Sequence, residues 1–207
     1  MTRFVASRTA TAGVTVALCI VALILAVIAI AGRRGAPSNA YAGFAGTRLD
    51  PPKAATDFTL PGGDGKPAHV LAPGGALEFL FFGYTHCPDE CPLAMGALGR
   101  AYRELTPAER ARTRVVFVTV DPERDTPAVV DRYVKHFDAA FVGLTGSAAQ
   151  LAPVWKAYGV TVDAKTKEIG HGDAIYAIDA SGNVVLIYTP DVPARDLASD
   201  AAKMTRS

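Results

Sequence analysis

Cysteine is scarce in this chain. There are three in 207 residues, and one of them, Cys19, lies inside a long apolar run. The other two, Cys87 and Cys91, are four residues apart, so a bridge between them would close a tiny loop and add little stability. That scarcity excludes a disulfide-stapled scaffold, and a soluble part of this size buries most of its apolar surface without staples. Basic runs interleaved with aromatics are absent, which excludes nucleic acid as a partner. No internal repeat is visible, and no glycine-rich loop has a phosphate-binding pattern. Single-sign charge is lacking too, with a formal net charge of +1. Residues 1–34 hold Arg3, Arg8, Arg33 and Arg34 and no acids. Setting those four aside leaves 17 of the 21 basic residues against 20 acids, a net charge of −3 for the rest.

What is present begins with residues 12–32, which carry no charge and no proline. About twenty apolar residues at 1.5 Å rise cover the ~30 Å hydrocarbon core of a bilayer, so the segment reads as a spanning helix. A cleaved signal peptide is the competing reading, with Ala29-Ile30-Ala31 as the small-residue site. The apolar core exceeds the usual ~7–15 residues and favours an uncleaved anchor. Leu18 is too large to precede a lipoprotein cysteine at Cys19, and Arg33-Arg34 follows the run, so it is no twin-arginine signal. Arginines on both sides leave orientation open. The expected organisation is a tail and anchor over 1–34, a Pro/Gly-containing tether over 35–56, and a domain over 57–207.

Within the domain, Phe58-Thr59-Leu60 and Ala68-His69-Val70 flank a Gly-Gly-Asp-Gly turn and predict a short hairpin. Leu77–Phe82 is a nearly continuous apolar strand of the doubly buried kind. Helix signals follow over Pro92–Leu105, with Pro92 suited to a first turn. Arg114–Val120 predicts a second buried strand, and Thr126-Pro127 the cap and first position of a helix running to Phe137. A short strand over Phe141–Leu144, a helix over Ser147–Tyr158 with Leu151, Val154, Trp155 and Tyr158 on its core face, a hairpin from Ala174–Ile178 to Val184–Tyr188 and a helix over Pro193–Lys203 complete the order. This is an α/β plan, a thioredoxin-like central sheet flanked by helices, with a short hairpin in front and one transmembrane helix at the N-terminus.

The cysteines stand in Phe-Phe-Gly-Tyr-Thr-His-Cys-Pro-Asp-Glu-Cys-Pro, between a strand and a helix. A thiol pair there serves redox or metal chemistry, because a helix N-terminus favours the thiolate that attacks disulfides or binds metal. Four histidines are available as a third donor. His86 abuts Cys87, where neighbouring side chains on a turn point apart; His69 and His136 read as solvated surface residues. His171 lies between two glycines in Ile169–Asp173, a loop that on this plan lies against the cysteine turn. Asp89 and Glu90 tune the thiols, meet a basic partner or are solvated turn acids. Asp121 is either an outer group beside the thiols or part of a capping loop. Met95, four after Cys91, reads as core.

These residues resemble the Sco/SenC family of membrane-anchored copper-binding proteins. The resemblance rests on Phe-Gly-Tyr-Thr-His-Cys-Pro-Asp-Glu-Cys-Pro at 82–92, Val-Asp-Pro-Glu-Arg-Asp-Thr-Pro at 120–127, Val-Gly-Leu-Thr-Gly at 142–146 and His171 five residues before Tyr176. It departs at Gly170 and Gly172 around the histidine, where the family often has Asp and then Ser or Thr. Glu90 also replaces a common aliphatic residue. The resemblance implies copper, Cu(I) or Cu(II), on Cys87, Cys91 and His171; Asp121 and Asp89 stay candidates outside the ligands by their position alone. Two thiolates and an imidazole suit Cu(I), whereas structural zinc takes four protein ligands.

The implied role is a copper chaperone for the binuclear site of cytochrome c oxidase. Its partners would be the copper-receiving oxidase subunit and other copper carriers or thiol reductases, met on the outer side of a bacterial or mitochondrial inner membrane. The alternative is a thiol–disulfide oxidoreductase using Cys87 and Cys91 on a client, so whether the chain is an enzyme stays open. Dedicated oxidoreductases of this fold usually space their cysteines by two residues, here three. A peroxiredoxin would place threonine three before its cysteine, and Thr85 is two before Cys87.

Overall fold

The computed structural model describes residues 41–71, 74, 76–162, the backbone of 169–170, and 173–206. The predicted spanning segment, the first part of the tether and His171 lie outside the described residues. Among those described, no helix is long and apolar enough to cross a membrane.

Among the described residues, ten strands and five helices follow one another: β1 Thr47–Ala54, β2 Thr59–Pro61, β3 Pro67–His69, β4 Leu77–Gly83, α1 Glu90–Glu104, α2 Pro107–Ala111, β5 Thr113–Thr119, α3 Pro127–Phe137, β6 Val142–Leu144, α4 Ala148–Tyr158, β7 Thr161–Val162, β8 Ile169–Gly170, β9 Ile175–Ile178, β10 Asn183–Tyr188 and α5 Ala194–Arg206. Six strands form the main sheet in the order β1-β10-β9-β4-β5-β6. β4 runs parallel to β5 and β5 to β6, while β9 joins β4 antiparallel, followed by β10 and β1 in the same sense.

Every residue of β4 is buried, and the two-residue period of a strand sends its side chains to two separate cores. Leu77, Phe79 and Phe81, with Val115 and Phe117 of β5, pack under Ala94, Met95 and Leu98 of α1, Val130 and Val134 of α3, and Leu197 and Ala201 of α5. Leu80 and Phe82, with Val116 and Val118, face Leu151, Val154 and Tyr158 of α4 together with Leu60 and Val70. Each such side chain contributes on the order of 1.5–3 kcal/mol when removed from water. Met95 is fully buried, and Trp155, half-buried, sends its indole N–H to the Thr119 carbonyl at 3.1 Å.

β2 and β3 pair antiparallel around the Gly62–Gly65 turn. Gly62, just past β2, bridges to Leu144 at the edge of the sheet. Ser147 and Gln150 form a capping box at the start of α4. Thr126 occupies the cap position of α3 with extended backbone, yet its side chain makes no capping hydrogen bond.

Two expectations need correction. Residues 47–54, read as tether, are strand β1, which pairs with β10 through Thr47–Ile187, Arg48–Leu186, Lys53–Val184 and Ala54–Asn183. The strand is mostly exposed, so it carries no apolar alternation to reveal it, and an edge position tolerates Pro51 and Pro52. The segment before β9, read wholly as a loop, contributes β8, which pairs with β7 through Thr161–Gly170 and Val162–Ile169.

Candidate thiol and metal centre

β4 ends at Gly83, a residue that brings the first cysteine-bearing helix against the sheet. A Cβ at position 83 would lie 2.9 Å from Cys91 Sγ and 2.8 Å from the Phe117 ring, so only glycine fits. The chain then turns through Tyr84–Asp89, closed by the Cys87 N–H donating to the Tyr84 carbonyl at 3.2 Å. α1 begins at Glu90 and not at Pro92, which places Cys91 in its first turn; Pro92 sits where helix N–H groups have no partner to lose.

Cys87 and Cys91 are both free thiols with different surroundings. Cys91 is buried, 2% exposed. Its backbone N–H points at Cys87 Sγ, 3.4 Å away. Burial pushes the Cys91 thiol well above its ordinary range, Cys87 and Glu90 add to the rise, and the Tyr84 N–H pulls the other way. Cys87 is half-buried. Burial there also works upward, but the N–H groups of Asp89 and Cys91 and the side chains of Cys91 and Tyr84 donate to the sulfur and bring it below its ordinary value. The Tyr84 phenol is correspondingly raised to about 12, by burial first and then by Cys87. The pair is therefore asymmetric, one accessible sulfur that carries negative charge easily and one sequestered sulfur that resists it.

The acids that the sequence singled out divide. Asp89 is exposed at the cap position of α1 and makes no side-chain cap; what reaches Cys87 is its backbone N–H. Glu90 is also exposed, and the neighbouring Asp173 carboxyl raises its pKa, so the residue before Cys91 lies near a residue two positions after His171. Asp121 is buried, 4% exposed. Its carboxylate engages the Arg124 guanidinium and its carbonyl accepts the N–H groups of Arg124 and Asp125 at 3.2 and 2.9 Å.

The remaining histidines sit apart. His69 meets Asp57 at 2.8 Å on the hairpin, His136 is exposed on α3 with its ring against Phe137, and His86 is half-exposed beside Thr85. Among the described residues no three His, Cys, Asp or Glu side chains gather as a metal site.

Sequence reasoning missed Asp125, which is fully buried and accepts from Thr85 and Thr119. It also missed Tyr84, and Tyr133, whose buried phenol has no hydrogen-bond partner among the described residues. Burial first, then the charges of Cys91, Cys87 and Asp125, raise the Tyr133 pKa. Asp125 stood inside the 120–127 motif, where an Asp-Thr-Pro string is indistinguishable from a helix cap.

Comparison with known proteins gives the family and the fold. Residues 46–206 match the SCO1/SenC family. A mitochondrial SCO2 homologue of Bos taurus is 42% identical over 116 residues, 52% of this chain and 43% of its own. The chain spans about half the length of several such curated relatives. The solution structure of apo Sco1 from Thermus thermophilus superposes with a TM-score of 0.64 at 38% identity, over 78% of this chain and 94% of that one. A copper-bound ScoI crystal structure from Arabidopsis thaliana gives a TM-score of 0.64 at 29% identity, over 74% and 99%. The fold is thioredoxin-like, and this chain belongs to the SCO1/SenC family.

Proposed function

We propose that this chain is a copper chaperone that binds one copper ion through Cys87, Cys91 and His171 and delivers it to the binuclear copper site of cytochrome c oxidase during assembly. The observation that carries this reading is the thiol pair itself. Two free sulfurs converge at the end of β4, one of them accessible and charge-prone, as a soft monovalent ion requires. Family membership supports the copper and the oxidase, and the nearness of Asp173 to Glu90 supports His171 as third ligand, because Asp173 is two residues after His171 and Glu90 is next to Cys91. Asp121 acts from outside the ligands through Arg124, which lies within electrostatic reach of Tyr84, itself a donor to the Cys87 sulfur. Asp89 acts through its N–H.

Copper is cargo here. A half-buried Cys87 leaves the ion open to a receiving ligand, and a buried Cys91 retains it until exchange. Residues 1–34 anchor the domain as a single pass, and the tether ends before β1, keeping the site on the outer face of the membrane. Titration of the reduced full chain with Cu(I) and with Cu(II) tests the reading. One equivalent with copper–thiolate absorption, lost on oxidation and in Cys87→Ala, Cys91→Ala and His171→Ala, is the expected result. Undiminished binding by His171→Ala removes the three-donor site.

The asymmetry of the thiols favours one second reading, reduction of a client disulfide. The Cys87 thiolate attacks the client's disulfide and releases one client thiolate; Cys91 then loses its proton and attacks Cys87, giving the Cys87–Cys91 disulfide and the client dithiol. An external thiol reductase restores the pair. This activity needs no His171, so His171→Ala separates the two roles.

A further inference from the structure

The cysteine turn is held by a carboxylate that has no solvent contact. Asp125 is 0% exposed. Its Oδ2 accepts the Thr85 N–H at 3.1 Å and the Thr119 hydroxyl at 2.6 Å, and its Oδ1 accepts the Thr85 hydroxyl at 2.6 Å. Distances of 2.6 Å between oxygens belong to hydroxyls donating to a charged acceptor. The carboxylate is fixed in turn from behind. The Asp125 N–H donates to the Asp121 carbonyl at 2.9 Å, the Asp125 carbonyl accepts the Thr145 hydroxyl at 2.7 Å, and Thr119 accepts the Asp121 N–H at 2.9 Å.

A hydroxyl has one proton to give. Thr85 spends it on Asp125, so toward its other neighbour, His86 Nδ1 at 3.0 Å, the Thr85 oxygen can only accept. Nδ1 must then carry the hydrogen, and in the neutral imidazole the lone pair falls on Nε2. Asp125 Oδ1 itself is 3.8 Å from Nδ1, beyond hydrogen-bond reach, so the information passes through the Thr85 hydroxyl. The imidazole is 54% exposed and adjacent in sequence to Cys87.

We propose that Asp125 is a positioning residue which, through Thr85, locks His86 into its Nδ1–H tautomer and so leaves Nε2 as the unprotonated nitrogen of an exposed imidazole. An unprotonated imidazole nitrogen accepts a proton or a hydrogen bond, so the buried carboxylate decides which nitrogen of this exposed ring does so. The tautomer does not depend on the proposed copper reading, and it is measurable without metal.

Substitution by Asn makes a specific prediction. Two donors converge on the Oδ2 position, so the amide oxygen of Asp125→Asn must take that place and its NH2 must face Thr85. The amide then donates to the Thr85 oxygen, whose own proton turns to His86 Nδ1, and the tautomer inverts. The test is nitrogen NMR of the reduced, metal-free full chain labelled at histidine, at about pH 8, well above the ordinary imidazole pKa of ~6.5, with His86→Gln for assignment. Wild type and Thr85→Ser are expected to show Nδ1–H at His86, and Asp125→Asn and Thr85→Val to show predominantly Nε2–H. Nε2–H in the wild type overturns the proposal whether or not any variant folds, as does an unchanged tautomer in folded Asp125→Asn. Loss of copper binding with the Nδ1–H tautomer retained would overturn the functional reading and leave this one intact.

Discussion

Near its first residue β4 buries Glu78 against Arg114; just beyond its last it leads into the turn held by Asp125. Both carboxylates are essentially without solvent, but they are satisfied differently. Arg114 sets its guanidinium 2.7 Å from Glu78 and also donates to the carbonyls of His69 and Val70 at 2.7 and 2.8 Å, so opposite charge and a fork of donors close that end. At the other end, neutral hydroxyls and an N–H hold Asp125, with no arginine or lysine among the donors. A closed ion pair makes a rigid base, whereas a carboxylate held by neutral donors can orient its neighbours. The contrast separates the part of the strand that serves stability from the part that serves chemistry.

The largest effect expected from that contrast is at the closed end. Arg114→Ala leaves a buried carboxylate without its guanidinium and two carbonyls without a donor, which costs about 3–5 kcal/mol. Denaturant unfolding measures the loss, and Cys87 alkylation in the folded variant should proceed at the wild-type rate. A loss under about 1 kcal/mol, the range of an exposed pair, would mean the two ends are not built differently.

Gly83→Ala comes next and acts at the open end. The new Cβ would press on the Cys91 sulfur, the Phe117 ring and the Phe81 ring, the last at 3.0 Å, and overpacking of this kind costs about 1–3 kcal/mol. Unlike the arginine variant, this one moves a sulfur. The Cys87–Cys91 disulfide should therefore form more slowly under oxidised glutathione, in a variant whose unfolding shift is the smaller of the two. Equal disulfide rates in Gly83→Ala and wild type would show that the glycine serves packing alone.

How far these regions could be read from sequence follows from what each leaves in the residue pattern. The doubly buried β4 and β5 announce themselves as unbroken apolar runs, and α4 by helical spacing of Leu151, Val154 and Tyr158, because burial acts on side chains. β1 joins the same sheet through backbone pairing while its side chains stay exposed, so nothing in Thr47–Ala54 separated it from a linker. The thiols and the family were legible because few uses require two cysteines at a strand-to-helix turn. Asp125 was not, since a buried acceptor and a helix cap are spelled alike, and only the three-dimensional meeting with Thr85 and Thr119 distinguishes them. The nearness of Asp173 to Glu90 joins residues more than eighty positions apart in sequence and has no local signature.

The smallest effect concerns Asp89 and tests whether the open end works through side-chain charge or through backbone. Cys87 lies below its ordinary thiol range because N–H groups and neighbouring side chains donate to its sulfur, against the upward pull of burial. Cys91 is pushed in the opposite direction by burial. With rising pH the thiolate therefore appears first at Cys87, below the ordinary range of a free cysteine, and alkylation followed by mass spectrometry should modify Cys87 alone while Cys91 stays protected until the fold opens. Asp89 contributes to this through its N–H, and an ordinary aspartate at a helix N-cap would add about 1 kcal/mol through its carboxylate. Here that carboxylate is exposed and makes no cap. Asp89→Asn should then shift unfolding by less than about 0.5 kcal/mol, as surface substitutions do, and leave the Cys87 alkylation midpoint where it was. A midpoint displaced to lower pH in Asp89→Asn would show that the carboxylate had been opposing the thiolate through space. The asymmetry of the two sulfurs would then owe more to the acidic turn than to the amides at the start of α1.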